Sequence, residues 1–438
     1  MIHSNMTRRT ALKAAIGFAA PFVFRKHLHA KPSETVLHAS FGASNMALND
    51  INRLAASPNL RLVAVADVDL SRTAEVRRLF PNARIYQDWR ELLDRERDIN
   101  SASIATPDHM HGPITMSCLR RGLNVYTEKP LTHTIHEARQ LTRAAAERRV
   151  VTQMGIQIHS HAVHRTVVAT IQANAIGKVR EVHSWSSRSW GDSSLRPNRT
   201  DPVPAQLNWD HWLGVAAERP YIEGYYHPFV WRNRVDFGGG TLGDMGCHIL
   251  DPVFSSLGLT APRTVRSLGA APNADSWALN SRVVYTFPGT QYTDNTLTLH
   301  WYDGNAERPA SLRAQIGDRP FSEQGSIYIG ENGVLFSPYV NPLSLYPVDR
   351  FRDFRIPQME QQNHYLQYVE AIRGNGRAAA PFSYSGPLTE TVLLGVLATR
   401  FPNQNLNWDA ANLRFTDNEM ATRHVRQQPR RGWEIEGL

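Results

Sequence analysis

An α/β chain is expected: a doubly wound parallel sheet in the N-terminal third, then an α+β region built on a mostly antiparallel sheet. Three observations predict it. Between residues 35 and 155, short apolar runs alternate with amphipathic helical patterns, the order that lays strands in parallel with helices on both faces. Beyond residue 155, several strand-like runs follow one another with few helices between them, which favours antiparallel neighbours. A chain of 438 residues, 42% of them apolar, can also bury the cores of two or three domains, which sets disorder aside. The expected divisions are a leader at 1–30, a first domain at 31–155 and a second at 156–438.

Taken in order, 35–42 is strand-like, 45–56 helical, 60–69 strand-like and 71–80 helical. Buried-strand candidates follow at 100–107 and 123–130 with a helix candidate at 112–122 between them, and helix 136–149 leads to strand 150–155. Next comes a helical pattern at 164–177, and 178–190 alternates like a strand with one wet face. The Pro-, Asn- and Trp-rich stretch 196–231 has little periodicity and reads as an irregular excursion of the kind that shapes sites. Strand-like runs at 282–289, 296–304 and 325–337 and helical patterns at 364–374 and 388–401 complete the chain.

Charge and cysteine usage exclude several functions. The formal net charge is +8, but Arg8, Arg9, Lys13, Arg25 and Lys26 lie within the first 30 residues, where no acid occurs. What remains on the body is too mild to predict nucleic-acid binding. Only Cys118 and Cys247 are present, which excludes a disulfide framework or a multi-cysteine metal site and leaves one bridge open. The leader carries two arginines and then an apolar run from Ala14 to Phe24. This resembles a twin-arginine export signal, with Ala11 where Phe is common and Leu12 and Lys13 fitting. The run of 11 residues is too short for a membrane span, which takes about 20, so no stable membrane insertion is expected.

The first strand ends in Gly42-Ala43-Ser44-Asn45-Met46-Ala47, where a dinucleotide-binding turn would show G-x-G-x-x-G. Gly42 is kept, Ser44 still permits a close phosphate and Ala47 still permits tight helix packing. The second strand ends near Asp67, placed to bind ribose hydroxyls; Arg72 would suit a 2′-phosphate. Thr106, Pro107 and His111 follow one predicted strand, and Glu128-Lys129-Pro130 end the next, both at the edge where open parallel sheets bind ligands. Asp244 and His248 are four apart after a run of glycines, so a helix would point both one way. Asp244, His248 and Asp251, or His159, His161 and His164, would offer metal ligands, but neither set has an established zinc spacing. No metal is expected. Trp231 and Arg232 precede the glycines and would suit a sugar ring or pack at a rim.

With the turn at Gly42, Thr106 to His111, Glu128-Lys129-Pro130 and the glycine run before Asp244 and His248 in this order, the chain resembles the Gfo/Idh/MocA family of sugar oxidoreductases over residues 35–435. Residues 406–433 and the leader are similar to a secreted, twin-arginine subgroup of it. The resemblance implies an NAD(P)-binding Rossmann domain at 31–155, a substrate domain at 156–438 and NAD or NADP as cofactor. It implies Gly42, Ser44, Asn45, Asp67, Thr106, Pro107, His111, Glu128 and Gln157 as cofactor contacts, with Ile156 replacing the subgroup's Asn. Lys129, Asp244 and His248 would be catalytic: Lys129 as positioning and electrostatic group, Asp244 as orienter of substrate and of His248, and His248 as an acid/base of near-neutral pKa. Trp231 and Arg232 would touch the carbohydrate. The expected protein is a periplasmic or secreted homo-oligomer holding its cofactor tightly and recycling it on a sugar or cyclitol hydroxyl. An NAD-dependent glycoside hydrolase working by oxidation, elimination and reduction, and a noncatalytic sugar binder, are the alternatives.

Overall fold

The computed structural model describes residues 35–438, so the two arginines and the apolar run of the leader lie outside the described residues. Six strands, β1 (Val36–Phe41), β2 (Leu60–Ala66), β3 (Arg84–Tyr86), β4 (Ser101–Ile104), β5 (Asn124–Glu128) and β6 (Thr152–Gly155), form an all-parallel sheet in the order β3-β2-β1-β4-β5-β6. The order reverses between β1 and β4. At that switch point the C-terminal ends of two neighbouring strands leave a crevice, and the turns after Phe41 and Ile104 open into it. His38, buried within β1, bridges the Ser101 and Ser103 hydroxyls of β4 at 2.9 and 3.0 Å, so a polar group inside the sheet keeps its partners.

Nine further strands form a second sheet: β7 (Val179–Ser186), β8 (Thr264–Ser267), β9 (Arg282–Pro288), β10 (Thr293–Asp303), β11 (Gln324–Gly330), β12 (Val334–Ser337), β13 (Ser344–Tyr346), β14 (Asn405–Asp409) and β15 (Arg414–Phe415). Their order is β13-β12-β11-β7-β10-β9-β8-β14-β15, with β7 and β10 parallel and the remaining pairs antiparallel. The α/β class and the mostly antiparallel second sheet thus stand as the sequence predicts. The helix Phe382–Ala398 is buried along nearly its whole length and ties the two sheets together. It packs on the helices Ile135–Arg148 and Gly240–Ile249, and Glu390 receives a two-pronged bond from Arg139 at 2.7 Å on each oxygen.

Four expectations are corrected. Strand β3 and the helix Trp89–Arg95 have no counterpart in the predicted elements; three residues are too few to show a period. The helix Asp108–Arg120 starts before the predicted 112, because its first turn is polar and gives no apolar signal. Strand β7 has no continuous wet face, since Ala306, Leu312 and Ile316 from the segment after β10 cover the side of the sheet that holds Trp185. Cys118 and Cys247 are free and buried, so the bridge left open does not form.

Candidate active site

The site grows from the switch point. Gly42 has φ +109°, and a Cβ there would lie 2.9 Å from both the Ala105 carbonyl oxygen and the Ala47 Cβ. Only glycine makes that turn, and the turn gives Gly42, Ser44 and Asn45 one wall of a cleft. Asp67 stands at the same wall. Its carboxylate accepts the Ala43 N–H at 2.9 Å and the Asp69 N–H at 3.0 Å, and burial pushes the carboxyl up to about 6. Arg72 reaches over the turn, its Nε donating to Ser44 Oγ at 2.9 Å.

Thr106, Pro107 and His111 continue the wall after β4, and Glu128 and Lys129 after β5. His111 Nδ1 and Nε2 meet the carbonyl oxygens of Pro130 and Thr106 at 2.7 and 2.8 Å. This imidazole therefore sits between the ends of β4 and β5, its single N–H in the neutral form bonding to one of the two carbonyls. A strand-end turn that needs glycine, a ribose-side carboxylate and a helix beginning beside them fit a dinucleotide.

The glycines at 238–240 let the chain turn tightly enough to launch the helix Gly240–Ile249 beside Lys129. A Cβ on Gly238 would meet the Arg232 backbone at 2.8 Å, and Gly240 has φ +62°. The helix sets Asp244 against Lys129, whose Nζ donates to Oδ1 at 2.6 Å and to the Asp244 carbonyl oxygen at 3.3 Å. Arg232 Nε donates to the same Oδ1 at 3.1 Å and Trp190 Nε1 to Oδ2 at 2.8 Å. Burial alone would raise the Asp244 carboxyl, but the Lys129 and Arg232 charges hold it well below the usual carboxylate range. One turn on, burial and the Lys129 charge push His248 down to about 3, and its Nδ1 is buried without a hydrogen-bond partner in the protein. The geometry puts an ammonium on the cleft wall, holds it with a buried carboxylate behind it, and sets a neutral imidazole one helical turn from that carboxylate.

Residues 38–156 match the family model described as the oxidoreductase family's NAD-binding Rossmann fold, and 162–296 match the C-terminal alpha/beta domain model of the same family. The chain belongs to the Gfo/Idh/MocA oxidoreductase family. It is 24% identical over 212 residues to a scyllo-inositol 2-dehydrogenase (NADP(+)) of Bacillus subtilis, covering 48% of this chain and 49% of that one. It is 25% identical to a levoglucosan dehydrogenase of Pseudarthrobacter phenanthrenivorans, covering 45% of this chain and 42% of that one. The chain thus spans about half the length of the curated relatives it matches. An inositol dehydrogenase homolog from Azotobacter vinelandii, solved with NADH and myo-inositol, shares the fold at TM-score 0.57 and 18% identity, covering 86% of this chain and 99% of that one.

Within this Gfo/Idh/MocA chain, several expected roles are corrected. Gln157 is not on the cleft wall: its amide donates to Glu128 Oε1 at 2.7 Å and to the Tyr126 and Tyr365 hydroxyls at 3.1 and 3.3 Å, beneath the site. It supports Glu128, which does line the cleft. Asp244 makes no hydrogen bond to His248, because Lys129, Arg232 and Trp190 use its oxygens. The imidazole expected near neutrality lies far below it for want of water. Trp231 offers no open face to a sugar on the side where the Arg232 guanidinium lies 4.3 Å from its ring centroid. Of the histidines, His159 pairs with Asp251 at 3.0 Å and His164 Nδ1 lies 2.9 Å from the Ile158 carbonyl oxygen, while His161 caps the helix Ala162–Gln172.

Sequence reasoning missed Trp190, which it placed at the end of the strand-like run 178–190, whereas β7 stops at Ser186 and Trp190 lies in the loop beyond it. It also missed Asp108, which accepts the Gly239 N–H at 3.2 Å and so ties the glycine turn to the first sheet. Burial pushes the Asp108 carboxyl up to about 7.

Proposed function

We propose that the protein is an NAD(P)-dependent oxidoreductase that acts on a sugar or cyclitol hydroxyl. The observation that carries this is the Lys129–Asp244 pair, 2.6 Å apart and buried, at the end of a cleft whose other wall fits a dinucleotide. Gly42, Ser44 and Asn45 would lie along its phosphates and Asp67 along a ribose. When bound, the nicotinamide accepts or returns a hydride. Lys129 keeps a proton of its ammonium for the substrate oxygen, since Asp244 and one carbonyl take only two of three donors. That proton stabilises the alkoxide charge that develops as the hydroxyl is oxidised. Neutral His248 accepts the hydroxyl proton and gives it back in the reverse direction.

Arg72 beside Asp67 supports acceptance of NADP as well as NAD, the carboxylate favouring NAD and the guanidinium NADP. Names of the relatives, a scyllo-inositol 2-dehydrogenase and a levoglucosan dehydrogenase, support the polyhydroxylated substrate class. The paired arginines and short apolar run of the leader support export by the twin-arginine route to the periplasm, with the nucleotide bound before transit. Self-association as a homo-oligomer is part of the same reading; Val284, Thr286, Thr298 and His300, part-exposed on the outward face of β9 and β10, are the surface it would use. Sedimentation as a monomer at all concentrations would remove that clause.

The deciding experiment incubates the purified protein with inositols and with aldoses, follows the nicotinamide absorbance, and repeats both with Lys129→Ala. Reduction of NAD(P) by at least one polyol, lost in the variant, is expected. An aryl glycoside cleaved without net reduction of the nucleotide would instead establish the glycosidase.

A further inference from the structure

A second cavity, of ≈ 220 Å³, lies behind the glycine turn and shares no lining residue with the nucleotide cleft. Its walls come from four places: His133 before the helix Ile135–Arg148, Asp236 and Gly239 of the glycine turn, Trp277, and Arg400 with His424 and Arg426 near the C-terminus. The space far exceeds what one water needs, and its lining carries two arginines, Arg400 and Arg426.

Arg400 is the centre of the cavity's chemistry. It follows the helix Phe382–Ala398, and its guanidinium stands 4.9 Å from the Trp277 ring centroid. Among the described residues it makes no ion pair and no side-chain hydrogen bond; burial disfavours its charge, and the nearby Asp236 carboxylate offsets part of that. The single acid of the lining, Asp236, is already paired with Arg219. A guanidinium carries five N–H donors in a fixed fork, and no side chain among the described residues takes those of Arg400. The planar fork fits a carboxylate or phosphate through two parallel bonds. Arg426 on the same wall adds a second positive charge, its side chain donating to the Leu438 backbone oxygen at 2.7 Å.

We propose that this cavity is a binding site for a small oxyanion, a carboxylate or a phosphate, held by Arg400 with Arg426 as the supporting charge. The occupant would sit next to the active-site scaffold. Trp277, beneath Arg400, donates from Nε1 to the Gly238 carbonyl oxygen at 2.5 Å, and a Cβ on Gly240 would come within 3.0 Å of its ring. An anion that fixes Arg400 over Trp277 therefore steadies the turn that launches the helix of Asp244 and His248. The proposal does not depend on which reaction the cleft performs.

The test is calorimetric titration of the full chain with inorganic phosphate and, separately, with malonate, in chloride of matched ionic strength. Wild type is expected to bind at least one of the two with millimolar affinity, and which one it prefers separates a phosphorylated from a carboxylated ligand. Arg400→Gln should weaken that binding at least tenfold. Arg72→Gln, in the nucleotide cleft, should leave it unchanged. If Arg400→Gln does not keep the wild-type circular dichroism, Arg426→Gln replaces it, with at least a threefold loss expected. Absence of binding to wild type, equal affinity in the variant used, or loss in Arg72→Gln overturns the proposal.

Discussion

Burial and the Lys129 charge push the His248 pKa down to about 3, so at any pH near neutrality the imidazole is neutral and has a lone pair to accept a proton. His248→Ala should lower turnover by about 10²- to 10⁴-fold, the usual worth of general acid-base help, while nucleotide affinity stays as in wild type. Since the imidazole is already neutral, kcat/KM should show no limb near pH 6.5 that belongs to it. A limb there in wild type that vanishes in His248→Ala would contradict this assignment; one that persists belongs to Asp67, Glu128 or Asp108, which burial pushes up to about 6, 7 and 7. At the far end of the cleft, Asp67→Ala should weaken NAD by roughly 10- to 100-fold, the value of a bond to a charged group, and NADP much less, because a carboxylate repels a 2′-phosphate and Arg72 attracts one. Equal losses in fluorescence titrations of the two nucleotides would place the ribose elsewhere. Unlike Asp108, the residues Asp67, Lys129, Asp244 and His248 were legible in the sequence, placed by strand ends and one helix face and given their roles by the family resemblance. Their electrostatics were not: the state of His248 and the engagement of Asp244 by Trp190 are set by segments distant in the chain, which no local pattern reports.

Elements were legible where a period had room to develop. The buried runs of β1, β2, β4 and β5 announced a parallel sheet, whereas β3, with three residues, had none to show, and β7 lost its expected wet face to a segment more than a hundred positions later. The helix Ile135–Arg148 shows what lies between. Its start was placed correctly to within a residue, yet the capping box that fixes it, Thr134 Oγ1 accepting the Glu137 N–H at 3.2 Å and Glu137 accepting the Thr134 N–H at 2.9 Å, has an energetic consequence that only packing reveals. Gly112 of the helix Asp108–Arg120 presses against the Glu137 carboxyl, which a Cβ would approach to 2.8 Å, and burial pushes that carboxyl from 4.5 up to about 7. The folded chain thus holds this proton more tightly than the unfolded one. Its contribution is complete below the unfolded pKa and is lost as pH rises toward 7. Glu137→Gln keeps a capping amide and removes the titration, so its stability relative to wild type should climb by about 1.4 kcal/mol per pH unit between about pH 5 and 7 and level off above. Urea unfolding of both proteins at several pH values measures this; a difference independent of pH would show that the carboxyl titrates normally in the fold.

At the scale of the whole molecule, the two halves depend on each other, and the proposed export would add an order of events. The cleft takes one wall from the first sheet and the other from the excursion before the glycine turn, and the helix Phe382–Ala398 packs on the helices Ile135–Arg148 and Gly240–Ile249. A nucleotide bound between such walls stabilises the folded form by mass action, and the twin-arginine route carries folded proteins, so the proposed leader and a retained cofactor form one argument. If the cofactor arrives with the protein and is recycled in place, protein purified from the periplasm should release nicotinamide nucleotide in near-stoichiometric amount on denaturation. Changing Arg8 and Arg9 together to Lys should then hold the protein in the cytoplasm, folded and with its nucleotide, because that route reads the arginine pair itself rather than its charge. Fractionation followed by mass spectrometry of the released nucleotide checks both halves of the prediction. Periplasmic protein at wild-type level in the double variant would sever export from the arginines. Nucleotide-free protein from a wild-type periplasm would leave the enzyme needing a supply of dinucleotide that the compartment does not offer, and the oxidoreductase reading would then have to place the protein in the cytoplasm.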